Sequence, residues 1–451
     1  LKQRATSDGL GRPQITSVAQ PDRLPSSRGH SVLTPRLWTA RVRDVSETFV
    51  IVGGGLAGAK AAETLRDEGF DGTVILVAAE DEPPYERPPL SKGYLLGADE
   101  RDKAFVHPQQ WYAEHDIDLR LGTRATALDP AAHEVELDGG DRLKYDKLLL
   151  ATGSEPRRLD IPGADLGDVR YLRELADSDH LRDVLEEGHR VAVIGGGWIG
   201  LEVAAAARTH GAEVTLVEMA DLPLQSVLGD DVAAVFADLH REHGVDLLVG
   251  TTVREVVGDN GRVVAVVTSD GAEIMADTVV VGIGIAPRIE LAEAAGLTID
   301  NGIAVDSGLR TSDPDVYAAG DVASIDHPLL GARVRVEHWS NALDGGPAAA
   351  RSMLGQDVSY DRLPYFFTDQ YDLGMEYIGH APSGAYDRVV LRGDVPGRAF
   401  QAFWLRDARA VAGMHVNLWD DGIAPLEELV RSGRQVDAER LADPEIPLPE
   451  T

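Results

Sequence analysis

Cysteine is absent from all 451 residues. That excludes disulfides, thiolate metal sites and iron–sulfur ligation by this chain. It also excludes a redox-active dithiol or a sulfenic acid centre. Positive charge is scarce too: 43 Lys and Arg stand against 75 Asp and Glu, for a formal net charge of −32 at pH 7. So acidic a chain is unsuited to nonspecific binding of nucleic acid or of an anionic membrane. No apolar run approaches the ~20 residues of a membrane-spanning helix, and no signal-peptide core is evident. The expectation is a cytoplasmic protein with no resident metal, no nucleic acid partner and no membrane partner.

What is present points to large cores and several domains, because 43% of the residues are hydrophobic. Residues 1–44 differ from the rest. They are rich in Arg, Ser, Pro and Gly, lack sustained periodicity and carry net positive charge, so a disordered extension is expected there.

Two glycine fingerprints of one kind dominate the remainder. The first is Phe49-Val-Ile-Val-Gly53-Gly-Gly55-Leu56-Ala57-Gly58, and the second is Val191-Ala-Val-Ile-Gly195-Gly-Gly197-Trp-Ile199-Gly200. Each follows an apolar run of strand length and opens into an Ala/Leu/Glu-rich segment of helical periodicity. One glycine makes the tight turn, one admits the backbone to a pyrophosphate, and one lets helix pack on strand. The helix N-terminus then offers donors and a positive dipole to the phosphates. Two such motifs predict two dinucleotides and electron passage between them. With no cysteine available, electrons must leave the second cofactor directly.

Acidic residues after each fingerprint are candidates for ribose hydroxyls. Thr215-Leu-Val-Glu218 places Glu218 at a strand end, where it would repel a 2′-phosphate and favour NADH over NADPH. Ile75-Leu-Val-Ala-Ala79-Glu80 offers Glu80 in the first unit. The segment Pro84-Tyr-Glu-Arg87-Pro-Pro-Leu-Ser-Lys92 contains three restricting prolines that aim Lys92 at a defined point, where it would stabilise negative charge on a reduced isoalloxazine. Glu202 has two readings. It is either a first-turn carboxylate favoured by the helix dipole, or the partner of Lys92 facing the nicotinamide.

These segments, with Ala151-Thr152-Gly153, Gly282-Ile-Gly284, Thr311-Ser-Asp-Pro314, Ala319-Gly320-Asp321, Glu337-His-Trp339-Ser-Asn341 and Thr368-Asp-Gln-Tyr371, carry a resemblance. The chain resembles the FAD-dependent ferredoxin reductases of bacterial oxygenase systems, a family that includes putidaredoxin reductase, rubredoxin reductases and apoptosis-inducing factor. The resemblance spans residues 49 to about 380. It implies an α/β fold of two Rossmann-like dinucleotide-binding domains, in the disulfide-reductase-like architecture, plus a C-terminal α+β domain. The implied boundaries are 45–158 and 282–327 for an FAD-binding domain in two parts, 159–281 for an NAD-binding domain, and 328–451 for the interface domain.

The same resemblance implies that Asp321, beside Gly320, binds the ribityl chain of FAD, that Arg173 contacts the flavin, and that Trp339 lies beside it. Lys92 and Glu202 match the ion pair at N5. Leu56, Ala57, Arg87, Ala125, Ala151, Thr152, Gly153, Ile199 and Gly284 fall at further cofactor-binding positions. Three departures stand out. The family's ribose acid falls at Ala79, so Glu80 takes over; Pro287-Arg288 replaces a common Pro-Asn; and Gly345-Gly-Pro347 replaces a glutamine-containing helical turn. The implied activity is NADH-dependent reduction of FAD, followed by release of single electrons to a ferredoxin-type iron–sulfur protein serving an oxygenase, by a monomer or homodimer. Reduction of a quinone or organic radical remains an alternative, as does protein binding like that of apoptosis-inducing factor. For an acidic ferredoxin, Arg310, Arg333 and Arg335 are the expected basic docking patch.

Overall fold

The computed structural model describes residues 47–451; the extension expected over residues 1–44 lies outside them. Strand β1 (Thr48–Val52) turns at the first fingerprint into helix α1 (Leu56–Asp67), and β2 (Thr73–Val77), β3 (Ile117–Arg120) and β4 (Lys147–Leu150) follow. A second unit repeats the plan. It contains β5 (Val169–Tyr171), β6 (Arg190–Ile194), helix α2 (Trp198–Thr209), β7 (Glu213–Val217), helix α3 (Asp230–Glu242), β8 (Asp246–Leu248) and β9 (Thr278–Val281). The chain then returns through β10 (Val316–Ala318) and helix α4 (Trp339–Met353). It ends in β11 (Tyr365–Gln370), β12 (Leu373–Gly379), β13 (Arg388–Asp394), β14 (Ala399–Arg406), β15 (Arg409–Val416) and helix α5 (Ala424–Ser432).

Two five-stranded sheets are parallel throughout, in the orders β10-β4-β1-β2-β3 and β8-β7-β6-β9-β5. Parallel strands are covered on both faces, so they read as unbroken apolar runs rather than alternating ones. Val50, Ile51, Leu148 and Leu149 accordingly have no exposed surface. The chain crosses between the sheets twice, through Ser154–Pro156 and Ile285–Pro287, which pair antiparallel. The C-terminal sheet, ordered β11-β12-β15-β14-β13, is antiparallel.

The C-terminal sheet shares one core with the second parallel unit. Leu201 and Phe236 of α2 and α3 belong to the same buried cluster as Met375, Phe400 and Trp404, and the Trp404 indole donates to the Leu228 carbonyl at 3.2 Å. Each such side chain contributes about 1.5–3 kcal/mol through burial. This shared core fixes β11 against α2, which matters for the site below. No helix of the described residues is long and apolar enough to cross a membrane.

Helix α4 packs along α1, although residues 328 onward were expected to belong to the C-terminal domain. The physical reason lies in Gly346. A Cβ at Gly346 would sit 2.3 Å from the Ala57 carbonyl oxygen, so only glycine lets α4 approach the start of α1 so closely. Gly346→Ala is therefore expected to lower stability by about 1–3 kcal/mol through overpacking, read by chemical denaturation. Wild-type stability in that variant would mean the two helices can separate freely.

Candidate active site between the two glycine fingerprints

Both fingerprints use their glycines in the same way. Gly53 has φ +130°, and a Cβ there would lie 2.0 Å from Ala151 O; one at Gly58 would lie 2.0 Å from Gly53 O. In the second motif Gly195 has φ +103° with Gly282 O at 2.4 Å, and Gly200 meets Gly195 O at 2.0 Å. The middle glycines are open. No described atom lies within 4 Å of a Cβ at Gly55, and the nearest to Gly197 is Gly282 O at 3.8 Å. Outer glycines serve backbone packing, whereas the middle ones leave room for a ligand.

That room is one continuous cavity of about 1370 Å³. It exceeds the ~300–1,000 Å³ of ordinary small-molecule sites. Of the residues expected at the site, Gly58, Gly195, Gly200 and Glu218 stand behind the wall, and every other one lines it. Among the lining residues, Arg173 Nε, Ser154 Oγ and His338 Nδ1 are buried without a hydrogen-bond partner among the described residues. Open glycines at two helix N-termini and orphaned polar atoms between them fit two anionic dinucleotides.

An ion pair sits where the two halves of the cavity meet. Lys92 Nζ lies 2.8 Å from Glu202 Oε2, with side chains 15% and 3% exposed. Glu202 is the fifth residue of α2, beyond the first turn, so the dipole reading of this carboxylate does not hold. Its other contacts come from outside the helix. The Ser91 hydroxyl donates to Oε2, and Thr368 Oγ1 donates to Oε1 at 2.6 Å. The Lys92 ammonium also stands 5.4 Å from the centre of the Phe367 ring, and that ring meets Trp339 edge-on at 6.0 Å. Trp339 Nε1 donates to Glu86 Oε2 at 3.0 Å.

A second cluster lines the first unit. Arg173 pairs with Asp321 at 3.3 Å, and Arg87 donates to the Arg173 carbonyl. Glu80, the expected ribose acid, lines the cavity and is held by Arg87 at 2.9 Å and by the Tyr85 hydroxyl, whose burial keeps the phenol protonated and able to donate. A carboxylate beside a guanidinium makes a charge-assisted hydrogen bond to it. Glu218 accepts from Gly196 N at 2.6 Å and Ala220 N at 2.8 Å, tying the end of β7 to the second fingerprint.

The expected docking arginines do not form a free patch. Arg310 lies over Tyr317 and 4.0 Å from Asp306, while Arg333 lies 3.7 Å from Asp300 and donates to Val305 O at 3.0 Å. Arg335, only 9% exposed, pairs with Glu337 and donates to the Asp321 carbonyl. In a chain with so large an acid excess, these cations are engaged by nearby acceptors. Sequence reasoning assigned no role to Ser91, Glu86, Phe367 or Thr368. Ser91 was signalled by adjacency to Lys92 and Thr368 by opening the Thr368-Asp-Gln-Tyr371 motif, while Phe367 was signalled only by falling on an aromatic strand.

Residues 47–346 match the pyridine nucleotide-disulphide oxidoreductase family, and residues 365–451 match a reductase C-terminal domain that begins at β11. The chain is 44% identical over 405 residues to the ferredoxin–NAD(+) reductase component of the anthranilate 1,2-dioxygenase system of Burkholderia cepacia, covering 89% of this chain and 98% of that one. The chain belongs to this family of ferredoxin reductases. Putidaredoxin reductase of Pseudomonas putida is 38% identical over 417 residues, covering 90% and 97% of the two chains. The crystal structure of the covalent putidaredoxin reductase–putidaredoxin complex superposes with a TM-score of 0.86 at 37% identity, covering 90% of this chain and 98% of that one. The disulphide in the family's description has no counterpart in this reductase, which contains no cysteine.

The open glycines separate the two nucleotides experimentally. Gly55→Val has space in the protein but fills the ligand's place, so purified reductase should be folded and colourless. Gly197→Val should keep its yellow colour and lose NADH affinity. Flavin retained at full occupancy by Gly55→Val would show that the first fingerprint does not hold it.

Proposed function

We propose that this reductase oxidises NADH at bound FAD and passes the electrons one at a time to a ferredoxin-type iron–sulfur protein serving an oxygenase, in the cytoplasm. The flavin, when bound, accepts the hydride and supplies the change from two-electron to one-electron chemistry. The observation that carries this reading is the buried Lys92–Glu202 pair at the junction of two dinucleotide cradles, in a chain without cysteine. A dithiol acceptor is absent, so the exit for electrons is the flavin itself.

The protein's own part is binding, orientation and charge. Gly55, Leu56 and Ala57 present the N-terminus of α1 to the FAD pyrophosphate, and Gly197 with Ile199 presents that of α2 to NADH. Arg173 and Asp321 would hold the flavin side, with Trp339 and Phe367 lining the same part of the cavity. Lys92 places a fixed cation where negative charge develops on reduction, and Glu202 holds that cation in position. Neutralising Lys92 by Lys92→Met should slow stopped-flow reduction by NADH on the order of tenfold to a hundredfold, the scale of one charge-assisted hydrogen bond, with flavin content unchanged. An unchanged rate would make Lys92 a structural lysine. Cytochrome c reduction that needs added ferredoxin tests the acceptor; turnover equally fast with a quinone alone would favour a small-molecule reductase.

Glu218 supports the choice of NADH, since its carboxylate stands at the end of β7 and offers no donor to a phosphate. Glu218→Arg should shift preference toward NADPH by about 1–3 kcal/mol, measured as the ratio of kcat/KM for the two nucleotides. If the wild-type enzyme already uses both equally, Glu218 does not read the ribose.

A further inference from the structure

Behind Glu202 lies a row of buried polar side chains that the reading above leaves unused. Thr368 and Gln370 are each 1% exposed, and His240 is 0% exposed. Thr368 Oγ1 is 2.6 Å from Glu202 Oε1, Gln370 Nε2 is 3.2 Å from Thr368 Oγ1, and His240 Nε2 is 2.8 Å from Gln370 Oε1. Thr368 and Gln370 are two apart on β11 and share a face of the sheet.

Each bond in this row can run only one way. An ionised carboxylate only accepts, so Thr368 must donate its single hydroxyl proton to Glu202. The Thr368 lone pairs then receive the Gln370 amide N–H. The Gln370 carbonyl only accepts, so His240 must carry its proton on Nε2 and donate it. All donors therefore point toward Glu202, an arrangement in which each bond polarises the next. Burial pushes the His240 imidazole down to about 4, so it is neutral with one N–H, as the row requires. Four buried polar groups are costly unless each is bonded. The row runs from α3 through β11 to α2, and so anchors a carboxylate of the second parallel unit to the C-terminal sheet.

We propose that Thr368, Gln370 and His240 are positioning residues that hold the Glu202 carboxylate ionised and aimed at Lys92, and thereby set the acid limit of NADH-driven reduction. This rests on reading Lys92–Glu202 as the pair at the site of hydride transfer. The row is not a proton wire, because the Gln370 amide interrupts any relay of protons. The other charged groups facing Glu202 are Lys92, its ion-pair partner, and Asp369, whose own carboxyl burial holds above the usual range. Losing the Thr368 donor removes a hydrogen bond made to the charged form of the carboxylate and leaves that oxygen without its partner.

The test compares Thr368→Val, which keeps the side-chain shape, with Thr368→Ser, which keeps the hydroxyl, both as flavin-loaded full chains. Two quantities are followed from about pH 5 to about pH 9: the absorbance spectrum of the resting flavin, and its rate of reduction by saturating NADH. Thr368→Val should move the acid midpoint up by roughly one to two pH units in both signals. Its reduction should be about tenfold to a hundredfold slower on the acid side and approach wild type on the alkaline side. Thr368→Ser should overlay the wild type, and His240→Phe should shift the midpoint in the same direction by less. Should Thr368→Val lose its flavin, Gln370→Met carries the same comparison. A Thr368→Val profile that overlays wild type, or one slowed equally at every pH, overturns the proposal. Glu202→Gln separates the two levels. If it too reduces at the wild-type rate, the ion-pair reading fails; if it is slow while Thr368→Val behaves as wild type, only the positioning role fails.

Discussion

Lys92 and Glu202 come from segments more than a hundred residues apart, and they meet with little water to screen them. Removing two charges from water is expensive, and mutual attraction offsets that only when geometry and further hydrogen bonds are good. Here those further bonds come from Ser91, next to Lys92, and from Thr368, on a third unit. The pair therefore demands that the proline-rich turn, helix α2 and strand β11 all be in place together. The core shared by α2, α3 and the C-terminal sheet holds α2 and β11 in that relation. A site of this kind cannot be assembled by either parallel unit alone.

The paired fingerprints impose the complementary constraint. Both motifs bring a helix N-terminus against a strand end with backbone clearances that no Cβ would tolerate at the outer glycines. Their middle glycines then open on one cavity from two sides. The two motifs share one local solution, and the units that carry them are joined by the short antiparallel crossing at Ser154–Pro156 and Ile285–Pro287. Both open glycines and the ion pair line that same cavity.

Charge shows where local structure overrides global balance. An acidic chain needs its few cations for internal neutralisation, and Arg87, Arg173, Arg333 and Arg335 are all engaged by carboxylates or carbonyls. Arg87 also pairs with Glu80, which still lines the cavity.

The sequence by itself determined the two strand–glycine–helix units, because their spacing follows from steric rules that act within ten residues. It also determined that cysteine chemistry is impossible, and that Lys92 is aimed by a rigid proline segment. Those features are local, and local physics reaches them. Only the tertiary structure decided that Glu202 lies past the first turn of α2 with Thr368 against it, that Glu80 is paired with Arg87, and that Gly346 allows α4 to lie on α1. Each depends on which segments the cores bring together across long stretches of chain. Periodicity can place Thr368 and Gln370 on one face of a strand, but the partner of that face is set by packing.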